Sequence, residues 1–244
     1  MAAPLACVAL VAQLDAQTTA AELTAEQRRL LEAGEQVFVR RDSAKTPWPM
    51  TWVYQFIDAR PEEAAAVFAD AERQVDYVPD LKRSQVVRTI GPGVIEVAQE
   101  MRVPVVRDEW WEVRDSVSAQ DDGSYRIAWT LVRARTTKSV TGYAHFEPYH
   151  NATTRRDGTL LTYHNFVVPG SRMAGIGFVE RHALKKVRET ARATRDYVER
   201  VRREQPEVLS RQVEALRAMV SSASSGSSGS PASHPEDPEH PEHP

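Results

Sequence analysis

Two histidines and two tyrosines are the residues whose types and spacing best suit acid–base chemistry in this chain. His145 and His164 fall on predicted strands that follow one another along the sequence, and Tyr143 and Tyr163 are close to them. A histidine held in a pocket by a tyrosine or a glutamate can exchange protons with a bound molecule near neutral pH. Histidines on strands are more commonly surface or hydrogen-bonded core residues, and the alternation around His164 leaves its face undetermined. The sequence therefore offers acid–base candidates without bringing them into one site.

Other chemistries are excluded by residue counts and spacing. The chain contains no Ser-His-Asp set and no glycine-rich phosphate loop at usable spacing. Its single cysteine, Cys7, cannot form an intramolecular disulfide or contribute to a multi-cysteine zinc site. Glu180 and His182 are two residues apart on a predicted helix, so they do not share a face that could hold a metal. We therefore assign neither a metal site nor a cofactor.

Composition and charge are those of an ordinary globular chain. Of the 244 residues, 41% are hydrophobic and 27% are charged, and 31 Lys and Arg against 34 Asp and Glu give a formal net charge of −3. No apolar run reaches the roughly 18 residues that a membrane span needs. The charge balance does not indicate nucleic acid as a partner. A basic cluster at Arg133, Arg135 and Lys138 is typical of a solvated surface, with transient contact with an anionic membrane as the alternative.

Strands are predicted over most of the middle of the chain. Met50–Asp58 is rich in aromatic and β-branched residues, and its apolar side chains lie on both faces, which predicts a strand covered on both sides. Pro61 then opens a helix at its first position. Between Leu81 and Val168, about six further strands are separated by turn signals such as 91–93 (Gly-Pro-Gly) and 121–123 (Asp-Asp-Gly). Sequential hairpins with short turns predict an antiparallel meander.

Helices are predicted on both sides of the strands in sequence. Beginning near Met173, apolar residues recur every three or four positions over about seven turns, while the opposite side is rich in arginine. Pro206 interrupts this pattern, and a second helix is predicted over Glu207–Val220. Near the start of the chain, Thr24 and Gln27 form a capping box for a short helix over residues 24–33.

The two ends differ in composition from the middle. Residues 1–20 begin with the almost wholly apolar MAAPLACVALVAQL, which has the length of a signal-peptide core but no basic residue before Arg28. The segment leaves two localisations open. The protein is exported, to the periplasm or outside the cell, if the segment is a signal peptide, and it is cytoplasmic if the segment is an N-terminal helix. Residues 221–244 form a Ser/Gly linker followed by repeats of Pro, Glu and His, which predicts a disordered spacer in preference to a weak zinc or nickel site.

Several short motifs resemble those of a known superfamily, in the same order. The segment 57–63 reads I-D-A-R-P-E-E at the entry to the first helix, where Arg60 replaces the usual small residue or proline. The other matching stretches are 67–70, 77–86, 142–148, 158–163 and 168–170. Over residues 36–203 the chain resembles the START-like superfamily, also called SRPBCC or polyketide cyclase/dehydrase-like proteins. The stretch from 67 to 86 resembles coenzyme Q-binding START proteins in particular.

This resemblance implies an α+β helix-grip fold, in which a curved antiparallel β-sheet wraps around a long C-terminal α-helix. Residues 21–35 would form an N-terminal helix, residues 36–203 the ligand-binding domain, and residues 204–220 a C-terminal helix. Superfamily members with open cavities hold lipids, sterols, quinones, hormones or polyketides. The expected function is binding or transport of a small hydrophobic ligand, such as a lipid or isoprenoid quinone. A polyketide cyclase or dehydratase-like enzyme using the same cavity is the alternative.

Aromatic and methionine side chains suit a flat or flexible apolar ligand. The candidate ligand-binding residues, most of them aromatic and expected to face the interior, are Tyr77, Trp110, Trp129, Tyr143, His164, Phe166, Met173, Ile176 and Phe178. Plain core packing is the alternative for each of them. Trp110 and Trp111 point to opposite faces of their strand, so at most one of the two enters the cavity.

Overall fold

The computed structural model describes residues 23–42, 46, 48–103, 107–170 and 177–224. The strands are β1 (Val37–Arg41), β2 (Met50–Ile57), β3 (Leu81–Gly91), β4 (Val94–Met101), β5 (Glu109–Ala119), β6 (Tyr125–Ala134), β7 (Ser139–Asn151) and β8 (Arg156–Val168). The helices are α1 (Ala25–Glu32), α2 (Pro61–Ala69), α3 (Gly177–Glu204) and α4 (Pro206–Ser224), with a 3-10 helix at Ala71–Asp76. The predicted N-terminal segment 1–20 and the spacer from residue 225 onward lie outside the described residues.

The described strands form one antiparallel sheet of eight in the order β1-β2-β8-β7-β6-β5-β4-β3. Strands β3 to β8 are consecutive neighbours, as the hairpin signals predicted. The last of them, β8, then returns beside β2, with Thr51 opposite Asn165 and Ile57 opposite Thr159. Strand β5 begins at Glu109 and ends at Ala119. The meander and its closure against β2 place residues that are distant in sequence on the same sheet face.

Capping side chains set where the first two helices begin. The Thr24 hydroxyl accepts a hydrogen bond from the Gln27 backbone N–H (3.2 Å), and the Gln27 side-chain oxygen accepts one from the Thr24 N–H (2.9 Å), so the predicted capping box is formed. Pro61 occupies the first turn of α2, where its missing N–H costs no helical bond. The Glu63 carboxylate accepts a hydrogen bond from the backbone N–H of Arg60 at 2.9 Å.

A proline separates the two C-terminal helices. Helix α3 ends at Glu204, and Pro206 starts α4, because proline fits the first turn of a helix but disrupts its interior. Helix α4 continues to Ser224, which makes residues 221–224 helical and corrects their assignment to a flexible linker. Within the described ranges, no helix combines the length and apolar composition needed to span a bilayer.

Both faces of the sheet are covered, by different helices. Helices α2, α3 and α4 share one core with the concave face, in which the Phe68 ring lies 5.7 Å from that of Phe146. On the convex face, Leu31 of α1 packs in a second cluster with Trp52, Tyr54 and Leu160. The prediction that β2 is buried on both sides is therefore confirmed. A curved sheet holding a long C-terminal helix is the α+β helix-grip architecture that the sequence predicted.

Candidate functional site

A cavity of about 220 Å³ lies between the concave face of the sheet and the N-terminal half of α3. The sheet contributes Trp111, Val113 and Trp129 to its wall, and α2 contributes Phe68. Helix α3 closes the other side with apolar residues that include Val179, Ala183 and Val187. The core therefore leaves a hollow at this point instead of filling the space with its own side chains.

Three aromatic rings meet in the wall of this cavity. The centroids of Phe68 and Trp129 are 6.1 Å apart, those of Trp129 and Tyr163 are 5.4 Å apart, and those of Phe68 and Tyr163 are 6.2 Å apart. We call Phe68, Trp129 and Tyr163 the aromatic triad. Its rings offer flat apolar surfaces to a guest, and their faces carry partial negative charge.

Strand register aligns a row of residues across the cavity wall. Asp115 lies opposite Trp129, Trp129 opposite Gly142, and Gly142 opposite Asn165, which in turn lies opposite Thr51. Residues that are directly opposite in antiparallel strands share a face. Asp115, Trp129, Asn165 and Thr51 all line the cavity. The row thus crosses five strands, with a glycine in the middle.

Gly142 makes room for the indole of Trp129. A Cβ atom at Gly142 would lie 2.5 Å from Cζ2 and 2.6 Å from Cε2 of Trp129, and 2.5 Å from the backbone oxygen of His164. These distances are far below van der Waals contact, so any side chain at this position would displace the ring. The absence of a side chain on β7 therefore determines where Trp129 sits in the cavity wall.

Asp115 is a half-buried acid in this largely apolar wall. Its Oδ1 atom is inaccessible to solvent and has no hydrogen-bond partner among the described residues. Burial alone raises the pKa of this carboxyl group from 3.8 to about 7. The Oδ1 atom of Asn165 is likewise buried without a partner. The cavity thus has unsatisfied polar groups at two points of the row.

The other charged groups that line the cavity have partners or reach solvent. The Glu109 carboxylate accepts hydrogen bonds from the Thr136 backbone N–H (2.9 Å) and hydroxyl (2.5 Å). Lys186 on α3 forms ion pairs with Asp80 (2.8 Å) and Glu189 (2.8 Å). His182 Nε2 lies 3.6 Å from the Asp80 carboxylate, and Arg102 is exposed. Among the residues that the structure describes, no three His, Cys, Asp or Glu side chains come together as metal ligands.

Comparison with known proteins bears on the fold. No protein-family model and no curated protein matches the chain. The structure of a STAR-related lipid transfer protein from Xanthomonas axonopodis aligns with a TM-score of 0.57 and 15% identity, over 67% of this chain and 93% of that chain. Human StAR-related lipid transfer protein 5 aligns with a TM-score of 0.53 and 11% identity, over 68% and 83%. The Zhui aromatase/cyclase from a Streptomyces species aligns with a TM-score of 0.47 and 15% identity, over 70% and 98%. The chain has a START-like fold.

Of the predicted ligand-binding residues that the structure of this START-like fold describes, Trp129 lies directly in the cavity wall. Tyr77 stacks on Tyr197 with ring centroids 4.6 Å apart, and its buried hydroxyl has no hydrogen-bond partner among the described residues, but it packs in the core beside the cavity. Burial raises the pKa of the Tyr77 hydroxyl well above its usual value. Met173 and Ile176 lie outside the described residues.

Four predicted residues on the strands face away from the cavity, which corrects their expected place in its wall. Asn165 and Val167 line it, so the alternation of β8 turns His164 and Phe166 to the convex face. Tyr143 is directly opposite His164 and shares that face. The fourth residue is Trp110.

Trp111, and not Trp110, faces the cavity. Trp110 points the other way and lies under the guanidinium of Arg133, 5.1 Å from the ring centroid. This agrees with the prediction that only one of the two tryptophans enters. Phe178 also does not line the cavity: it is 47% exposed, at the start of α3, with its ring 6.4 Å from that of His182.

The four residues proposed for acid–base chemistry do not come together at the cavity. His164 stacks between Trp52 (4.6 Å between centroids) and Tyr143 (5.2 Å) on the convex face. His145 is two residues from Tyr143 on the same strand, so it shares this face, and its Nδ1 lies 3.3 Å from the Glu147 carboxylate. Of the four residues considered, only Tyr163 lines the cavity. The convex-face stack is therefore a packing feature of the sheet.

Asp115 and Asn165 are two of the cavity residues that sequence reasoning missed. Asp115 stands between Val113 and Val117 on the inward face of β5, and both valines are buried. An acid at an apolar position of an alternating strand is a signal of this kind of site, and the sequence contained it. Asn165 had no such signal, because its position depends on which face of β8 turns inward.

Proposed function

We propose that this START-like domain binds a small, largely apolar molecule in the cavity between its sheet and α3. The observation that carries the proposal is the cavity itself, which is lined by the aromatic triad on one side and by apolar α3 residues on the other. Apolar walls with a few placed polar groups are typical of ligand sites. Two structures with the same fold are named as lipid transfer proteins, which favours a lipid-like ligand. Transfer of a lipid or isoprenoid quinone is the finer form of the proposal.

The size of the cavity favours a compact guest. At about 220 Å³ it falls below the roughly 300–1,000 Å³ of sites for drug-sized ligands. A single alkyl chain or a small ring system suits such a volume better than a two-chain lipid. A larger molecule would require α3 to move away from the sheet.

Uptake of a neutral hydrocarbon probe tests this function. Diphenylhexatriene fluoresces strongly only in apolar surroundings, so the wild-type protein is expected to bind it with a stoichiometry near one. Ala183→Trp fills the cavity from α3 and should abolish uptake. The matched control Arg181→Trp places the same side chain at an exposed position of the same helix and should leave uptake unchanged.

Native mass spectrometry and lipid extraction of the purified protein then identify any resident molecule. A co-purifying apolar molecule that is lost in Ala183→Trp supports the proposal. Equal uptake of the probe by wild type and Ala183→Trp, with no molecule extracted from either, contradicts it.

A cyclase- or dehydratase-like enzyme is a second candidate, favoured by one observation. Asp115 lines the cavity, and burial raises the pKa of its carboxyl group to about 7, which allows that group to transfer protons near neutral pH. The predicted histidines cannot assist, because they lie on the other face of the sheet. Incubation with a linear poly-β-ketone thioester tests this function: formation of a cyclised product by wild type but not by Asp115→Asn would support it, and no product would contradict it.

A further inference from the structure

Among the residues that the structure describes, none compensates the charge of Asp115. Its buried Oδ1 lacks a hydrogen-bond partner, and no Lys, Arg or His forms an ion pair with it in the described ranges. A carboxylate with a buried oxygen that lacks a partner is disfavoured relative to its neutral form. The neighbouring charged groups of the cavity wall do not neutralise the Asp115 carboxylate. Lys186 is held by Asp80 and Glu189, and Glu109 is held by Thr136.

The aromatic triad stands next to this carboxyl group. Trp129 is the cross-strand neighbour of Asp115, which places their Cβ atoms roughly 5 Å apart. The rings of Phe68 and Tyr163 lie within 6.1 Å and 5.4 Å of the Trp129 ring, between centroids. Aromatic faces attract cations, and the attraction grows where water is excluded. A carboxyl group and three aromatic rings thus line the same part of the cavity.

We propose that Asp115 and the aromatic triad bind the ammonium group of an apolar amine whose alkyl or ring body fills the rest of the cavity. This inference rests on the proposed function, because it names the ligand class for the same cavity. An ammonium group compensates the carboxylate charge and donates the hydrogen bond that Oδ1 lacks. A hydroxyl group supplies only the hydrogen bond, and a carboxylate ligand is repelled.

Ligands that differ only in their polar group test the proposal on the full-length protein. Dodecylamine, dodecanol and dodecanoic acid are each used to displace diphenylhexatriene, below their micelle concentrations. At about pH 8, where Asp115 is mostly ionised and the amine is protonated, the amine should bind about tenfold tighter than the alcohol, and the acid weakest. Asp115→Asn should remove the preference for the amine and leave the affinity for the alcohol within about twofold.

Two further variants separate charge recognition from general damage. Asp121→Asn makes the same change at an exposed turn residue and should preserve the preference for the amine. Trp129→Leu keeps the wall apolar but removes one aromatic face, so it should weaken binding of the amine more than binding of the alcohol.

Lowering the pH through about 7 should reduce the amine affinity of wild type as Asp115 is protonated. The other titratable or charged groups lining the cavity are Arg102, Glu109, Tyr163, His182 and Lys186. These groups are unchanged in the Asp115→Asn variant. Its amine affinity should therefore lack the change near pH 7 that protonation of Asp115 causes in wild type.

The outcomes distinguish this inference from the proposed function. If the alcohol or the acid binds as tightly as the amine, or if Asp115→Asn leaves the amine preference intact, the ammonium site is overturned while the apolar cavity stands. If neither the probe nor any of the three ligands binds, the proposed function itself fails.

Discussion

At the scale of single residues, Asp115 links the cavity to the stability of the whole fold. Its pKa rises from 3.8 to about 7 on folding, so between these values the folded protein holds a proton that the unfolded chain has released. The free energy of unfolding therefore falls as pH rises through this interval, and this group adds no further change above it or below it.

Asp115→Asn is expected to remove this loss of stability at higher pH. Relative to wild type, the free energy of unfolding of the variant should rise between about pH 4 and 7, by up to about 4 kcal/mol at about 1.4 kcal/mol for each unit of pKa. Urea unfolding at a series of pH values measures the difference. The control Asp121→Asn should show no such trend. A constant offset between wild type and Asp115→Asn across the pH range would contradict the argument.

Gly142 provides the second prediction at this scale. Gly142→Ala puts a Cβ atom within 2.5 Å of the Trp129 ring and of a backbone oxygen on β8, so the ring must move into the cavity. We expect a loss of about 1–3 kcal/mol in the free energy of unfolding, together with weaker binding of diphenylhexatriene. Gly91→Ala is the matched control, since nothing lies within 4 Å of a Cβ atom there. Equal stability of the two variants would show that Gly142 does not position Trp129.

The sequence predicted which face of the sheet some side chains occupy and not others, for a geometrical reason. Alternation states which residues of one strand share a face, so it separated Trp110 from Trp111 correctly. It does not state which of the two faces turns toward the helices, because that depends on pairing with distant strands. A shift of one residue exchanges the faces completely. Tyr143 and Phe166 were predicted on the wrong face for this reason, and the face of His164 was left undetermined.

At the scale of elements, an ion-pair cluster fastens α3 to the segment before β3 beside the cavity. Lys186 on α3 reaches Asp80 at 2.8 Å, and His182 on the same helix lies 3.6 Å from that carboxylate. Lys186 and His182 both line the cavity. Any separation of α3 from this edge of the sheet has to break the contact with Asp80. The cluster is therefore placed to control how readily a guest enters.

Lys186→Met tests this control of entry. Methionine keeps an apolar side chain of similar length but removes the charge, so α3 should separate from β3 more easily and the probe should enter several-fold faster. Lys185→Met is the matched control, because Lys185 is mostly exposed and its one ion pair within the described ranges is with Glu189 of its own helix, at 3.5 Å. Stopped-flow fluorescence with diphenylhexatriene gives the association rate. Identical rates for the two variants would contradict a fastening role for Lys186.

Element boundaries were more predictable than the contacts between elements. Proline at 61 and 206 and the capping box at Thr24 determine helix starts through local backbone chemistry, and each helix begins within one residue of its predicted start. The ion pair between Asp80 and Lys186 joins residues more than a hundred positions apart. No local pattern carries that information, because it arises only when the sheet has curved around α3.

At the scale of the whole molecule, α4 supports the cavity from outside the helix grip. Leu209, Val213 and Leu216 of α4 are buried in the same core as Phe68 of α2, which belongs to the aromatic triad. Arg217 adds a two-pronged contact with Glu62, at 2.6 Å and 2.7 Å. This hydrogen bonding lowers the pKa of Glu62. Helix α4 thus holds α2, and through α2 it holds one ring of the cavity wall.

Two truncations of the chain separate the role of α4 from that of the segment after it. Ending the chain after Gln205 removes the three buried α4 side chains, each of which contributes about 1.5–3 kcal/mol by burial, and leaves α2 without its outer support. We therefore expect a lower urea midpoint and weaker binding of diphenylhexatriene. Ending the chain after Ser224 removes only residues whose Ser, Gly and Pro content predicts a spacer, so the midpoint and the affinity should match those of the full chain. If truncation after Gln205 lowers the midpoint but preserves the affinity, α4 stabilises the fold without positioning Phe68, and the cavity wall is held by the sheet and α3 alone.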